Sequence, residues 1–555
     1  MRRISYQFIC IFLLTFVFHR AYAQEKLVLT VDRDIYIGGE TVWFTLVAYD
    51  YSSSQLSDLS KVVYFELINK SNVPIVQSKI YLNESNAQSK IVLPDTISTG
   101  NYLLRAYTHW MKNFGESCFE KKYISVINPF AKDALPKASE IIAQLATDEN
   151  SSAIDILLPN EIYGRRQEVN LSIENKGDQV LQNVSVSVVK SCLLGLENRS
   201  LPIQKYNKPN KKLLIPEFGG ELLRGTITNI ETGEVIADEK MMLSFISSHP
   251  ILKFSKTDSL GRFVFEINRF GEEEMVIQPY SNDTSKLNYK VTLDDAFSNE
   301  FGIQSMPELI LDSIQVKRIN EAIINMQINT VYSAHTPQVA IADSLKRQDA
   351  FYGKPEVVTR IDKYIQLPNV EEVIREIVPF VSLRKKDGQY IFKVYEDSSL
   401  YPRDGETMTF VDGIPMKETS HIFDISPEDL QRIEVVNLNY YLEDEELGRV
   451  LCFYTREGDM AEMDFDSRIF RQAHQGYLNG FQYGGPDYSI EEQKQARLVD
   501  YRNVLYFNGC NDVKAHSRLG IDFFTSDEPT DYTIVVSGAN FNGEIVTTRK
   551  HFQVK

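Results

Sequence analysis

The chain has 555 residues, which is too many for a single hydrophobic core and predicts several domains. Its content of 43% hydrophobic and 24% charged residues is typical of a soluble globular protein. A formal net charge of −17 argues against nucleic acid and against anionic membrane surfaces as partners, because both repel an acidic protein.

The N-terminus predicts export. Arg2 and Arg3 precede an apolar run from Phe8 to Phe18, and Ala21-Tyr22-Ala23 offers a small-x-small cleavage site. The apolar run is shorter than the roughly 18 residues that a membrane-spanning helix needs. We therefore predict a signal peptide cleaved after Ala23 and a mature chain without a transmembrane segment, located in the periplasm or at the outer membrane, with the cell surface as the alternative.

Four cysteines follow the predicted cleavage site, and their spacing indicates neither a disulfide framework nor a zinc site. We expect each to be a small buried residue. One pair, Cys452 with Cys510, is a disulfide to be checked. The four are Cys118, Cys192, Cys452 and Cys510.

Short strands at regular spacing from Leu27 to Phe130 predict an antiparallel β-sandwich. The segments Asp32–Asp50 and Leu93–Gly115 resemble a macroglobulin-type domain, in the version found at the start of exported proteins of the Bacteroidetes. The resemblance implies a first turn and a late strand with its exit. It rests on Tyr36, Gly39, Glu40, Gly100, Tyr102, Arg105, Tyr107 and Trp110. Tyr107, His109, Trp110 and Phe114 are either a ligand-stacking face or, as we favour, an aromatic edge of the core.

Further sandwiches are predicted downstream. Residues 222–289, with Gly225, Gly233, Asp258, Gly261 and Phe263, resemble a carboxypeptidase regulatory-like domain, an accessory fold without catalytic residues. Near-helical apolar spacing predicts a helix between Pro307 and Val331. The strands after Asp500 resemble the sandwich that precedes the thioester domain of the α2-macroglobulin family.

The stretch from Thr407 to Arg456 bears most directly on function. It predicts a strand, an Asp412-Gly413 turn, a short helix with Ser426 as N-cap and Pro427 at its first position, and two further strands. The residues VDGIP and SPEDLQRIEVV resemble the plug domain of TonB-dependent outer-membrane receptors. The resemblance implies a contact motif, whose candidate residues are Asp412, Gly413, Pro415, Pro427, Asp429 and Glu434.

Catalytic constellations are missing from the sequence, which has no zinc-protease motif, no nucleophile elbow, no phosphate loop and no thioester run. The acidic run Glu443–Glu446 lacks the alternating oxygen ligands of a calcium loop, so we predict a solvated loop. We expect no catalytic residue, no metal and no cofactor.

The predicted fold class is mainly β and multidomain: serial antiparallel β-sandwiches, macroglobulin- or Ig-like, plus one small α+β plug-like domain. The predicted segments are a signal peptide (1–23), a macroglobulin-type sandwich (24–130), a linker (131–152), a second sandwich (153–212), a carboxypeptidase regulatory-like sandwich (213–300), a helical and polar linker (301–355), a plug-like domain (356–460), a polar linker (461–498) and a C-terminal sandwich-like segment (499–555).

Three functions remain open. The first is a non-enzymatic cell-envelope protein that binds other envelope proteins or polymers. The second is a periplasmic plug or regulator of a separate outer-membrane barrel, since fewer than about a hundred residues follow the plug-like part and a barrel needs many strands. The third is a hydrolase that uses Asp412, Glu428 and Asp429 as paired acids.

Overall fold

The structure is a computed structural model that describes most of the chain. The described residues are 24–130, 153–195, 213–281, 288–302, 306–311, 313–332, 339–340, 350–364, 367–386, 389–396, 407–458, 469–539 and 545–555. The predicted signal peptide, its cleavage site and the linker at 131–152 lie outside these residues. The predicted mainly β fold is confirmed.

The strands are numbered in chain order. The first twelve are β1 Glu25–Val31, β2 Ile35–Ile37, β3 Thr41–Asp50, β4 Val62–Ile68, β5 Pro74–Tyr81, β6 Asn86–Val92, β7 Gly100–Thr108, β8 Glu120–Ile127, β9 Ile154–Leu157, β10 Ile162–Tyr163, β11 Glu168–Asn175 and β12 Leu181–Lys190. The next twelve are β13 Glu221–Asn229, β14 Lys240–Phe245, β15 Leu252–Lys256, β16 Arg262–Ile267, β17 Glu272–Pro279, β18 Tyr289–Leu293, β19 Val339–Ala340, β20 Val357–Arg360, β21 Val381–Lys386, β22 Gln389–Val394, β23 Thr407–Val411 and β24 Ile414–Pro415. The last nine are β25 Leu430–Leu442, β26 Glu445–Thr455, β27 Phe470–Gln475, β28 Tyr477–Leu478, β29 Phe481–Gln482, β30 Val504–Val513, β31 Arg518–Phe524, β32 Asp531–Ala539 and β33 Ile545–Val554.

The helices are few and mostly short. They are α1 Ser313–Tyr332, α2 Val370–Ile377 and α3 Glu491–Lys494, with 3-10 helices at Met111–Phe114, Glu116–Cys118, Ser191–Leu193, Ile361–Lys363 and Thr419–Asp424. The helix predicted from apolar spacing before Val331 is confirmed as α1. In α2 the Asn369 side chain accepts a hydrogen bond from the Glu372 amide and so caps the first turn.

The short helix predicted to begin at Ser426 is wrong. The Asp429 amide donates to the Ser426 carbonyl in a single turn, and Leu430 already pairs with Thr455 in β25 and β26. Too few residues separate the turn from the strand for a helix to nucleate, since the first helical turn is the costly one. Pro427 therefore occupies a tight turn between a 3-10 helix and a strand.

The described chain divides into two compact units. The first unit contains residues up to 220, residues 297–342 and residues 477–555, and the second contains residues 221–296 and 343–476. Each unit is therefore assembled from segments that are distant in sequence.

In the first unit, residues 24–130 form the first sandwich together with the short strand β28. Its sheets have the strand orders β1-β3-β6 and β2-β8-β7-β4-β5-β28. The rings of Phe44 and Phe65, one from each sheet, stack at a centroid distance of 4.4 Å. Both side chains are fully buried, so the apolar core lies between the two sheets.

The second sandwich of the first unit combines two parts of the chain that the sequence treats as separate segments. Strands β9 to β12 pair with β30 to β33 in sheets of order β10-β33-β32-β12-β30 and β31-β11-β9. The registers β12 with β32 and β11 with β31 are antiparallel. Residues 504–554 thus complete the sandwich that residues 153–190 begin, and one core cluster contains residues of both parts.

In the second unit, residues 221–293 form the third sandwich, with sheets of order β16-β13-β18 and β15-β14-β17-β27. Strand β27 comes from residues that the sequence predicts as a polar linker, and it pairs with β17 in antiparallel register. Polar side chains on β27 are compatible with an edge strand that is exposed along one face.

The remainder of the second unit, residues 350–458, is an α+β region. Its five-stranded mixed sheet has the order β20-β25-β26-β23-β24, and β23 runs parallel to β26. The hairpin β21-β22 and helix α2 pack on the apolar core of this sheet. No helix within the described residues is long and apolar enough to cross a membrane.

Candidate contact site

The Asp412-Gly413 turn lies inside the second unit, against the third sandwich. The Ser247 amide donates to the Asp412 carbonyl at 2.9 Å, and the Gln278 side-chain amide donates to the Pro415 carbonyl at 3.0 Å. A Cβ atom on Gly413 would lie 2.7 Å from the Phe245 carbonyl oxygen, and Gly413 has a φ of +89°. The turn is therefore a joint within this unit that requires glycine for both space and conformation.

The Asp412 carboxylate fixes the same joint from within the α+β region. Its Oδ1 accepts from the Thr455 amide at 2.8 Å, and its Oδ2 accepts from the Thr455 hydroxyl at 2.6 Å. The residue is only 1% exposed. Both carboxylate oxygens thus bond to the strand that ends at Thr455, which leaves this acid a structural role.

Two other candidate residues lie on the turn before β25. Pro427 is half-buried, and Asp429 and its neighbour Glu428 are exposed. Arg456 bonds to the main chain of this turn, since its amide donates to the Asp429 carbonyl at 2.8 Å. Asp412 is buried, whereas Glu428 and Asp429 are exposed, so the acids proposed for a hydrolase lie in different environments.

Glu434 belongs to a buried polar network. It accepts from Arg432 Nε at 2.7 Å and from the Tyr352 hydroxyl at 2.6 Å. The Tyr352 and Tyr454 hydroxyls are 2.5 Å apart, and the Arg432 guanidinium lies 3.7 Å from the centre of the Tyr454 ring. Burial raises the pKa of the Cys452 thiol, which lies beside the two tyrosines. The network ties the segment around Tyr352 to the central sheet.

Four of the six candidate contact residues therefore make internal contacts of the second unit: Asp412, Gly413, Pro415 and Glu434. Of the other two, Asp429 is exposed and Pro427 is half-buried. The resemblance identified this stretch from local turn signals, which do not reveal what a turn packs against.

A surface that the sequence interpretation treated only as a solvated loop is the tip of the β25-β26 hairpin. Leu438 is 52% exposed and Tyr441 is 60% exposed. Glu443 and Asp444 form the two-residue turn, and Glu443 has a φ of +54°. Glu446 accepts from the Asn439 side chain at 3.1 Å. The available sequence signal was the alternation of asparagine, tyrosine and leucine immediately before the acidic run.

Residues near the start of the first sandwich, including Tyr36 and Glu40, form a buried ion network. The Arg33 guanidinium donates to Asp32 Oδ2 at 3.1 Å and to Glu40 Oε2 at 2.6 Å, and the Tyr36 hydroxyl donates to Asp32 Oδ1 at 2.8 Å. The Asn503 side chain donates to Glu40 Oε1 at 2.7 Å and so links the network to the second sandwich. Burial raises the pKa of Asp32 to about 6.

The aromatic cluster that includes Trp110 and Phe114 is an edge of the core, as favoured from the sequence. Both side chains are almost fully buried. Their neighbour Asn113 exchanges hydrogen bonds with the main chain of Leu214, at 2.9 Å and 2.7 Å, and His109 Nδ1 lies 3.1 Å from the Ile215 carbonyl. The segment around Leu214 covers the position where a stacked ligand would lie.

The connecting segment that contains Ser298 and Glu300 covers the late strand of the first sandwich, β7. The buried Arg105 guanidinium donates to Glu66 Oε2 at 2.8 Å and to the carbonyls of Ser298 and Glu300 at 2.9 Å and 2.6 Å. The Tyr107 hydroxyl accepts from the Ser298 amide at 2.7 Å. The polar groups of the late strand are therefore engaged within the first unit.

Two depressions within the described residues have volumes of about 10 Å³, roughly the space of one water molecule. No described group of three or more His, Cys, Asp and Glu residues could hold a metal ion. The four cysteines are free thiols, of which Cys118 and Cys452 are buried and Cys192 and Cys510 are half-buried.

Comparisons with known proteins give distant structural neighbours. No protein-family model and no curated protein matches the chain. A Salmonella α2-macroglobulin reacted with methylamine aligns over 96% of this chain and 39% of its own, with 9% identity and a TM-score of 0.24. An Escherichia coli α2-macroglobulin activated by porcine elastase aligns over 96% and 44%, with 9% identity and a TM-score of 0.24. The Yersinia pseudotuberculosis adhesin InvE aligns over 48% and 57%, with 14% identity and a TM-score of 0.13.

The chain thus spans about two fifths of the length of the macroglobulin structures that it matches. TM-scores this low do not establish a shared fold or a shared function.

Proposed function

We propose that this chain is a non-enzymatic protein of the cell envelope that binds other envelope proteins, with its sandwiches as spacers and the α+β region as the docking module. The supporting observation is the small size of two depressions in the described residues, which hold about one water molecule each. Ligand sites for small molecules are normally far larger clefts. The proposal therefore assigns binding to convex surfaces, where protein partners dock.

The charge of the chain supports a protein partner. At −17 overall it is repelled by nucleic acid and by anionic lipid. Three of the acids bond to structural partners within their own unit: Asp412 to Thr455, Glu434 to Arg432, and Glu66 to Arg105. The proposal therefore assigns recognition to the exposed surface.

The test is co-isolation from the cell envelope. The tagged mature chain, crosslinked in cells, should fractionate with the envelope and retain an integral outer-membrane or surface protein. A tagged exported β-sandwich protein of similar net charge serves as the control. Recovery of the same proteins with both chains, or of none with this chain, would refute the proposal.

Regulation of a separate barrel by a plug-like domain is the narrower alternative. It requires a surface that can reach the barrel. Asp412, Gly413 and Pro415 are buried, so these three residues cannot be part of that surface. Deletion of residues 390–458 should change outer-membrane permeability if this alternative holds, and unchanged uptake of a bulky dye would eliminate it.

The hydrolase interpretation has a direct test. In the double variant Asp412→Asn, Glu428→Gln any hydrolytic activity found in the wild-type chain should persist, because Asp412 is a buried structural acid. Loss of activity in a double variant that remains folded would restore the enzymatic interpretation.

A further inference from the structure

Helix α1 of the first unit is apolar on two faces. Its inner face packs on the first sandwich, where Ile319, Ala322 and Ile323 are buried in one cluster with Ile35 and Ile127. This inner face accounts for the helix as an element of the first unit. A helix that is apolar on a second face as well is typical of one that packs on both sides.

Polar contacts hold α1 in place beside the inner face. The Asn329 side chain donates to the Tyr501 carbonyl at 2.7 Å, and Arg318 forms an ion pair with Asp531 at 3.3 Å. The outer face is therefore carried by a helix that is already fixed to the first unit. A preformed surface of this kind loses little further freedom when it binds.

The outer face of α1 has the spacing of a helix–helix contact. Its positions alternate at intervals of three and four residues, which at 3.6 residues per turn places them within an arc of about 100°. They are Ile314, Lys317, Glu321, Ile324, Ile328 and Val331. Ile314, Ile324 and Val331 are 66%, 55% and 70% exposed, although such side chains are most often buried.

Two opposite charges on this face restrict what can pack against it. Lys317 and Glu321 are exposed, and neither forms an ion pair with another described residue. In a parallel pair of α1 helices in register, each charge would face the same charge. In an antiparallel pair with a two-fold axis at the level of Ile319, Lys317 of each copy faces Glu321 of the other. Ile314 then faces Ile324, so the apolar positions also match.

We propose that the outer face of α1 is the contact between two copies of this chain, paired antiparallel about that two-fold axis. A two-fold contact uses the same surface of both copies, so one lysine and one glutamate supply two complementary pairs. Charged residues on an otherwise apolar helix face fix the register and the direction of pairing. The overlapping parts span only about three and a half turns, so dissociation should fall in the micromolar range. This contact is independent of the proposed docking by the α+β region.

The test is sedimentation equilibrium of the purified chain from about 1 to about 100 µM, in which the mass should rise from one chain towards two. Lys317→Glu and Glu321→Lys each place like charges at both charged contacts and should raise the dissociation constant at least about tenfold. The two variants change the net charge in opposite directions, so overall repulsion cannot explain a loss common to both. Ile314→Gln with Ile324→Gln removes apolar area and should weaken the dimer about tenfold.

The decisive variants restore the charge pairs. Lys317→Glu with Glu321→Lys in one chain recreates both pairs in reverse, and its dissociation constant should lie within about threefold of the wild type. An equimolar mixture of the two single variants should also dimerise, because one copy brings two acids and the other two lysines. The matched control is Lys290→Glu, at an exposed position of β18, which changes the net charge equally and should stay within about twofold of the wild type.

Three results would overturn the proposal. The first is a wild-type chain that remains monomeric at about 100 µM. The second is a dimer that the single charge variants or the isoleucine variant leave unchanged, which would place the contact on another surface. The third is a failure of the mixed single variants to dimerise although their circular dichroism and melting temperatures match those of the wild type. This mixture decides the question even if the double charge variant does not fold.

Discussion

The buried acid Glu120 makes the stability of the first sandwich depend on pH in an unusual direction. Burial raises its pKa from 4.5 to about 7, and the nearby Lys26 and Lys122 oppose the rise only in part. Its carboxylate accepts a long hydrogen bond from the Leu29 amide, at 3.4 Å. The folded chain therefore binds a proton on Glu120 more tightly than the unfolded chain does.

The sign and the size of the effect follow from this difference. A raised pKa gives stability that is fully present below pH 4.5 and is lost as the pH rises through about 7. At about 1.4 kcal/mol for each pH unit, Glu120 contributes about 3 kcal/mol across this window. Asp32, whose pKa is raised to about 6 by burial, acts in the same direction. The first sandwich should thus be more stable at about pH 5 than at about pH 8.

Tryptophan fluorescence isolates this sandwich, because the two tryptophans of the chain, Trp43 and Trp110, are both buried in it. In urea unfolding followed by fluorescence, the free energy of unfolding of Glu120→Gln should change less between about pH 5 and about pH 8 than that of the wild type. The difference should be about 2.5 kcal/mol, because part of the effect already occurs below pH 5. Glu84→Gln, which removes a charge from an exposed position of the same sandwich, should keep the wild-type dependence. A wild-type chain that gains stability between about pH 5 and about pH 8 would refute the reasoning.

Three further predictions concern contacts inside each unit and the state of the cysteines. In thermal melts, Gly413→Ala should lower the free energy of unfolding of the second unit by about 2 kcal/mol or more, since its Cβ would meet the Phe245 carbonyl at 2.7 Å. Gly458→Ala is the control, because Gly458 has a positive φ but open space around it, and it should cost about 1 kcal/mol. Arg105→Met leaves the Glu66 carboxylate buried without its cation and should lower the free energy of unfolding by about 3–5 kcal/mol. The double variant Arg105→Met, Glu66→Gln should recover part of this stability in denaturant unfolding. If the losses of the two single variants simply add up in the double variant, the two residues do not form a direct pair. The denatured mature chain, never exposed to reductant, should show four reactive thiols in a colorimetric assay, and a count of two would reveal a disulfide.

Local sequence signals predicted many elements of this fold well. The apolar spacing before Val331 predicted α1, because the period of apolar residues reports which face of an element is buried. The turn at Asp412-Gly413 was also predicted correctly, since both residues adopt a positive φ. These features depend on neighbours within a few residues along the chain.

Long-range pairing was not predictable in the same way. Strand β12 pairs with β30 and β32, more than three hundred residues later, and β27 joins the third sandwich from a stretch whose polar composition indicates a linker. An edge strand needs only one apolar face or none, so its composition resembles that of a loop. Nothing in the spacing of residues specifies which distant strand will accept its hydrogen bonds.

For the candidate site, the sequence by itself determined that the stretch from Thr407 to Arg456 contains strands joined by tight turns, because turn chemistry and strand periodicity are local. Only the tertiary structure decided which parts of it a partner could reach. The Val411–Pro415 turn is covered by the third sandwich, while Leu438 and Tyr441 remain exposed beside the acidic turn. Burial is a property of what packs against a residue, and the chain brings those neighbours from positions that no local pattern records.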